Sequence, residues 1–201
     1  MKKEKKTKLP APVIYKGKPM TPLYPFASGF PTPRPKAPEG SEDIPDGEFL
    51  AFCIEEGYAN AEGHVIREKA AAVKKLDISV LDILSLEGLA FFPALEDLQC
   101  AGNKLTTLDV SGCPALKFLY CLNNRLESIN LKGCPELVEL DCSENKLVDL
   151  NLSANKKLVS LECSWNHLSH LHLKGLKQLE KVYCTGNQID TISFGNRLKS
   201  P

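Results

Sequence analysis

At 201 residues and 43% apolar content the chain is long enough to bury a continuous core, and its 25 basic and 25 acidic residues leave a formal net charge of zero. That balance removes any bulk pull toward nucleic acid or a membrane surface. The segment Leu9-Pro10-Ala11-Pro12-Val13-Ile14 is too short and too rich in proline for a signal-peptide core or a membrane span. The chain as it stands is therefore expected in the cytoplasm, or at the cell surface or secreted if an export signal has been removed from it.

Residues 1–43 are expected to form an extended or disordered tail. Within the first 20 residues Lys2, Lys3, Lys5, Lys6, Lys8, Lys16 and Lys18 face a lone Glu4, and ten of the fourteen prolines lie at or before Pro45. Few periodic apolar residues and many missing backbone donors leave such a segment little to pack with. Residues 44–72 predict a helical cap. Pro45-Asp46-Gly47-Glu48 offers a helix start, Phe49, Phe52, Cys53 and Glu56 fall at helical spacing, and Gly57 ends the helix. A second short helix is predicted from Arg67 to Val73 through Ala70-Ala71-Ala72.

From residue 73 to 201 the chain repeats itself. Segments starting at Leu95, Leu116, Leu137, Leu158 and Leu179 align at a strict 21-residue period. Each carries apolar residues at its first and fourth positions, Cys at the sixth and Asn at the ninth. Val73, Leu76 and Ile78 align with Leu95, Leu98 and Cys100 at an offset of 22, which adds a degenerate sixth coil. This period and pattern predict an α/β solenoid of leucine-rich-repeat coils, with a parallel β-sheet on the concave face and the helical cap plugging one end. Alternation along each strand sends Leu98 and Cys100 and their equivalents inward. Asn103, Asn124, Asn145, Asn166 and Asn187 are expected to satisfy inward backbone groups where the chain leaves the strand.

With the repeats and cap in hand, the sequence resembles bacterial leucine-rich-repeat proteins of the internalin-like kind, with a cysteine at the second inward strand position. The resemblance covers about residues 44–199. Pro45-Asp46-Gly47-Glu48-Phe49, the stretch Tyr58 to Ala70, and Leu76-Asp77-Ile78-Ser79 resemble that family's cap pattern, whose middle part in relatives looks like a calcium loop. Such a loop needs oxygen ligands at its first, third and fifth positions and a carboxylate at its twelfth. Here Tyr58 and Lys69 occupy the ends and only Asn60 and Glu62 remain, so no calcium is expected. The resemblance also implies a binding protein at the cell surface or secreted.

Cys100, Cys121, Cys142, Cys163 and Cys184 form one inward column of expected free thiols, because parallel side chains set the sulfurs side by side. Cys113 and Cys134 form a second column, the pair best placed to oxidise. His170 and His172 alternate with Leu171 on the convex side, with no carboxylate or cysteine at a third vertex in that coil; no metal site and no cofactor are expected. Phosphate loops, nucleophile elbows and zinc-helix motifs are missing from the sequence, which argues against an enzyme.

What remains is the outer face of the strands. Its columns run Lys75, Asp97, Phe118, Glu139, Ser160, Lys181 and Asp77, Gln99, Tyr120, Asp141, Glu162, Tyr183. Phe118, Tyr120 and Leu122 predict an exposed apolar cluster, and Glu139, Asp141 and Glu162 a row of like charges that a basic partner would relieve. The function expected is non-enzymatic binding of a protein or peptide through Phe118, Tyr120, Asp141, Glu162, Trp165 and Tyr183, without nucleic acid. The alternative is metal or carbohydrate binding by the histidine pair or the aromatic and carboxylate row. The chain's own tail, with Lys16, Lys18, Tyr24 and Phe26, has the composition of such a peptide.

Overall fold

The computed structural model describes residues 39–193. Most of the expected basic tail, with Lys16, Lys18, Tyr24 and Phe26, lies outside them. Helix α1 spans Gly47–Glu55 and buries Phe49, Leu50 and Cys53. Its N-cap is Asp46, whose Oδ1 accepts the Phe49 N–H at 2.9 Å and satisfies one of the donors that a helix start leaves unpaired. The other oxygen, Oδ2, accepts the N–H groups of Leu84 and Ser85 at 2.8 and 3.1 Å. One carboxylate thus caps the helix and fastens it to the first coil. Aromatic packing completes the seal: Phe92 lies 6.2 Å from Phe49 and 5.8 Å, edge-on, from Tyr58. Helix α2 is shorter than its sequence predicts, Arg67–Ala70 rather than Arg67 to Val73. Ala72 and Val73 are tightened into turns bonded to Lys69 and Ala70, because the chain must straighten into a strand at Lys75.

The strands are each three residues long: β1 (Lys75–Asp77), β2 (Asp97–Gln99), β3 (Thr107–Asp109), β4 (Phe118–Tyr120), β5 (Ser128–Asn130), β6 (Glu139–Asp141), β7 (Ser160–Glu162), β8 (His170–His172), β9 (Lys181–Tyr183) and β10 (Thr191–Ser193). Six of them form one parallel sheet in the order β1-β2-β4-β6-β7-β9. Register is strict, with Leu76, Leu98, Leu119, Leu140, Leu161 and Val182 directly paired in turn. On the opposite side β3 pairs with β5, and β8 with β10.

Between the two sides runs one continuous core. Four members of the cysteine column, Cys100, Cys121, Cys142 and Cys163, are fully buried free thiols, and Cys184 in the last described coil is half-buried. Burial pushes the Cys100 thiol up to about 12, so it stays protonated and inert at neutral pH. In the second column Cys113 and Cys134 are also buried free thiols, and they add hydrogen bonds. The Cys134 thiol donates to the carbonyls of Val110 and Cys113, and that of Cys113 toward Leu89. Asn155 continues the same column, fully buried, with its amide donating to the Leu131 and Cys134 carbonyls while its Oδ1 finds no partner.

The asparagine ladder supplies the hydrogen bonds that the coils need at the turn. In each coil Nδ2 donates to a carbonyl three residues back and to its equivalent in the preceding coil, while Oδ1 accepts an N–H from the preceding coil. For Asn145 these partners are Cys142, Cys121 and Leu126, with Ser143 added. Each amide therefore stitches two coils together where the strand ladder ends. Immediately before the asparagine, a residue with left-handed backbone turns the chain: Gly102, Asn123, Glu144, Trp165 and Gly186, with Val80 at the equivalent position before Leu81 in the first coil and φ between 52° and 72° throughout.

Candidate binding face

The outward side chains of the six-stranded sheet fall into the two expected columns, each in register across all six strands. Five carboxylates, Asp77, Asp97, Glu139, Asp141 and Glu162, share this face with two lysines, and one of those, Lys75, is already paired with Asp97 at 3.1 Å. The face is acidic although the chain is neutral.

Phe118 and Tyr120 are half-buried rather than exposed, as is Leu122. Neighbouring strands at about 4.8 Å cover much of each ring, and the Tyr120 hydroxyl donates to Glu139 Oε2 at 2.9 Å. Tyr183 is the more open aromatic of the column, at 38% exposure.

Asp141 and Glu162 sit side by side on adjacent strands. Each is held by the backbone two residues on: Asp141 Oδ1 accepts the Ser143 N–H at 3.0 Å and its hydroxyl at 2.6 Å, and Glu162 Oε1 accepts the Ser164 N–H at 2.9 Å. These bonds fix where the carboxylates point but bring no positive charge. Among the described residues neither carboxylate has an ion-pair partner. Burial raises the pKa of both, and for Glu162 the Asp141 charge raises it further, against the lowering effect of the serine bonds.

Trp165 stands at the rim of this face with φ 57° and 62% exposure. A Cβ placed on Gly186 would lie 2.5 Å from the indole Cε3, so the ring lies on a surface that only glycine leaves open. The sequence pattern placed Trp165 at the turn, but not its backbone. The signal was present in the Gly and Asn that hold the same position in three other coils, residue types that tolerate left-handed geometry.

On the opposite side the His170 and His172 rings lie 4.9 Å apart. A carboxylate approaches from the neighbouring coil, outside the coil to which the sequence expectation applied: Asp149, 21 residues earlier in the same column, places Oδ1 3.6 Å from His170 Nε2. Ser169 and Ser193 hydroxyls meet the Nδ1 atoms of His170 and His172 at 2.9 and 3.1 Å. No group of three metal-capable side chains with suitable geometry occurs among the described residues. In the cap, Asn60 Oδ1 accepts the His64 N–H at 2.8 Å, closing its loop on itself.

A parallel stack of 21-residue leucine coils, with ladders of asparagine and cysteine, defines a leucine-rich-repeat solenoid of the internalin-like kind. Among solved structures it is similar to an internalin, InlF, from Listeria monocytogenes, at 25% identity over 72% of this chain and 44% of that one, with a TM-score of 0.63. A leucine-rich-repeat protein of Leptospira interrogans, LIC12759, shares the fold at 19% identity over 65% of this chain and 45% of its own, at TM-score 0.50. So does TLR13 in its complex with ssRNA13, at 23% identity over 56% of this chain and 19% of its own, at TM-score 0.50. The chain thus spans less than half the length of these structures. No protein-family model and no curated protein matches it. Among the described residues no helix is long and apolar enough to cross a membrane.

Proposed function

We propose that this chain is a non-enzymatic binding module whose six-stranded face takes an extended, basic protein segment. The observation that carries the reading is the pair Asp141 and Glu162, two half-buried carboxylates aimed by serines yet lacking a cation among the described residues. Each carboxylate singly caps its turn, but set side by side the two charges work against the fold, since like charges on neighbouring strands destabilise the sheet. A lysine or arginine from a partner would neutralise both and gain charge-assisted hydrogen bonds. Tyr120 and Tyr183 flank the pair in the same column, with Phe118 beside them and Trp165 at the rim, and rigid aromatics of this kind anchor interfaces. An acidic face repels phosphodiesters, which favours a protein partner over RNA despite the fold shared with an RNA-bound receptor. Surface or secreted placement fits the internalin likeness. Metal or carbohydrate binding, by the histidine pair or the aromatic and carboxylate row, is the secondary reading; the Ser-oriented imidazoles are the observation in its favour.

The test is the double variant Asp141→Asn, Glu162→Gln, with a fluorescent threonine–lysine peptide as probe. Asn and Gln keep the oxygens that accept from Ser143 and Ser164, so the stack should stay folded. Affinity is expected to fall at least about tenfold, in line with about 1.5–3 kcal/mol for each hydrogen bond to a charged group. Thermal stability should move the other way. Because both pKa values are raised in the folded chain, the native state holds more protons than the unfolded state above the ordinary carboxylate range. Wild-type stability therefore falls as pH rises through that window, and the double variant should lose this fall. Unchanged peptide affinity in a folded double variant would remove the proposal.

A further inference from the structure

The left-handed position before each ladder asparagine, or before Leu81 in the first coil, forms a row along the rim of the six-stranded face: Val80, Gly102, Asn123, Glu144, Trp165, Gly186. Backbone bonds run from coil to coil through this row, from Val80 to Ala101, Gly102 to Leu122, Asn123 to Ser143, Glu144 to Ser164 and Trp165 to Thr185, so its alignment is as fixed as that of the sheet. Two of its members contradict both constraints of the site. Left-handed backbone favours Gly or Asn and is an outlier for a β-branched or bulky residue. Solvent favours a polar side chain. Val80 and Trp165 are nonetheless apolar, at φ 58° and 57°, and 68% and 62% exposed.

Both are also seated in the same way. The next member of the row is glycine in each case, and each side chain leans over it: a Cβ on Gly102 would lie 3.2 Å from Val80 Cγ2, and one on Gly186 closer still to the indole. Leu84 and Val148 are similarly exposed but are not among the left-handed residues. A strained, exposed apolar side chain resting on a bare glycine, occurring twice in one row, is what two fixed pegs for a partner require.

We infer that Val80 and Trp165 are the two ends of a clamp for an extended peptide segment running along the solenoid axis, with apolar side chains six residues apart. The inference rests on the face being a peptide-binding surface and adds the partner's direction and spacing. Four strand spacings separate the pegs by about 19 Å, and six residues of extended chain at about 3.3 Å each cover the same distance. An even separation also puts both apolar side chains on one side of the segment. Glu144, exposed and three coils from Val80, falls opposite the fourth residue after the first apolar one, where a lysine or arginine fits. The occupant is thus a segment with an apolar residue, a basic one four further on, and an apolar one two beyond that.

The probe is a fluorescein-labelled heptapeptide with leucine at both ends, lysine fifth and threonine elsewhere, followed by anisotropy against the full chain. Two further peptides move the leucines to four and to eight residues apart. The six-residue spacing is expected to bind at least about tenfold more tightly than either, the scale of losing one anchor. Val80→Asn and Trp165→Asn relieve the backbone, so both variants should keep the wild-type melting temperature while each loses about tenfold in affinity. Trp165 is the chain's sole tryptophan, so its emission should shift on binding the wild type, and Val80→Asn should weaken that shift from four coils away. Equal binding of all three spacings overturns the clamp, as does full affinity in Val80→Asn. If either result accompanies a loss of binding in Asp141→Asn, Glu162→Gln, the clamp fails while the acidic face keeps its proposed role.

Discussion

Replacing Asn145 by Ala is expected to destabilise the chain by about 3 kcal/mol, from a buried Leu126 N–H left unpaired at about 1–3 kcal/mol and from lost bonds to carbonyls at about 0.5–1.5 kcal/mol each. Asn145 is buried, and its amide donates to the carbonyls of Cys121, Cys142 and Ser143 while accepting the Leu126 N–H. Alanine offers none of these bonds; the three carbonyls keep donors in Asn124, Asn166 and the Asn123 N–H, whereas the Leu126 N–H loses its partner. Such a loss is a large fraction of the stability of a domain this size, typically about 5–15 kcal/mol. The same replacement at Asn124 should cost visibly less, because that side chain is only half-buried and water can reach the groups it abandons. Urea denaturation of the two variants side by side measures the difference. Equal and small losses would mean that the ladder amides are interchangeable with water.

Leu140→Ala should lose about 2–5 kcal/mol through the cavity it opens. Leu140 is 2% exposed and sits in the column between Leu119 and Leu161, both fully buried, so neighbours on either side are already locked in register. In a stack stabilised by nearest-neighbour contacts, a defect in the middle weakens two interfaces. Val182→Ala, at the half-buried end of the same column, weakens fewer contacts and removes less volume. Its loss is expected to be about 1 kcal/mol or less, and chemical denaturation again decides.

The repeat made the solenoid legible because its period fixes, for every residue, both the facing direction and the neighbour one coil away. Leu98 over Leu119 over Leu140 follows from sequence spacing alone, and so do the inward cysteines and the ladder asparagines. What stayed hidden depends on contacts between coils or on backbone angles. Asp149 has no signal within the coil that holds His170; only a step of 21 residues down the column joins them. Asn155 breaks the cysteine pattern of its column, yet its amide donates to the carbonyls as the Cys134 thiol does one coil earlier. Exposure of Phe118 and Tyr120 was overestimated because alternation gives a direction, whereas coverage depends on the strands alongside. The second bond of Asp46, to a loop 38 residues away, has no local sequence signal.

The acidic face itself is best tested by following the side-chain carboxyl resonances of Asp141 and Glu162 through a pH titration, with and without the threonine–lysine peptide. In the free chain both should titrate above ordinary carboxylate values, because burial disfavours their charge. Saturating peptide should bring both titrations down, since a lysine ammonium at hydrogen-bond distance favours the ionised form. Titrations that stay raised and unmoved while the peptide is bound would place the partner elsewhere and contradict the role given to this face.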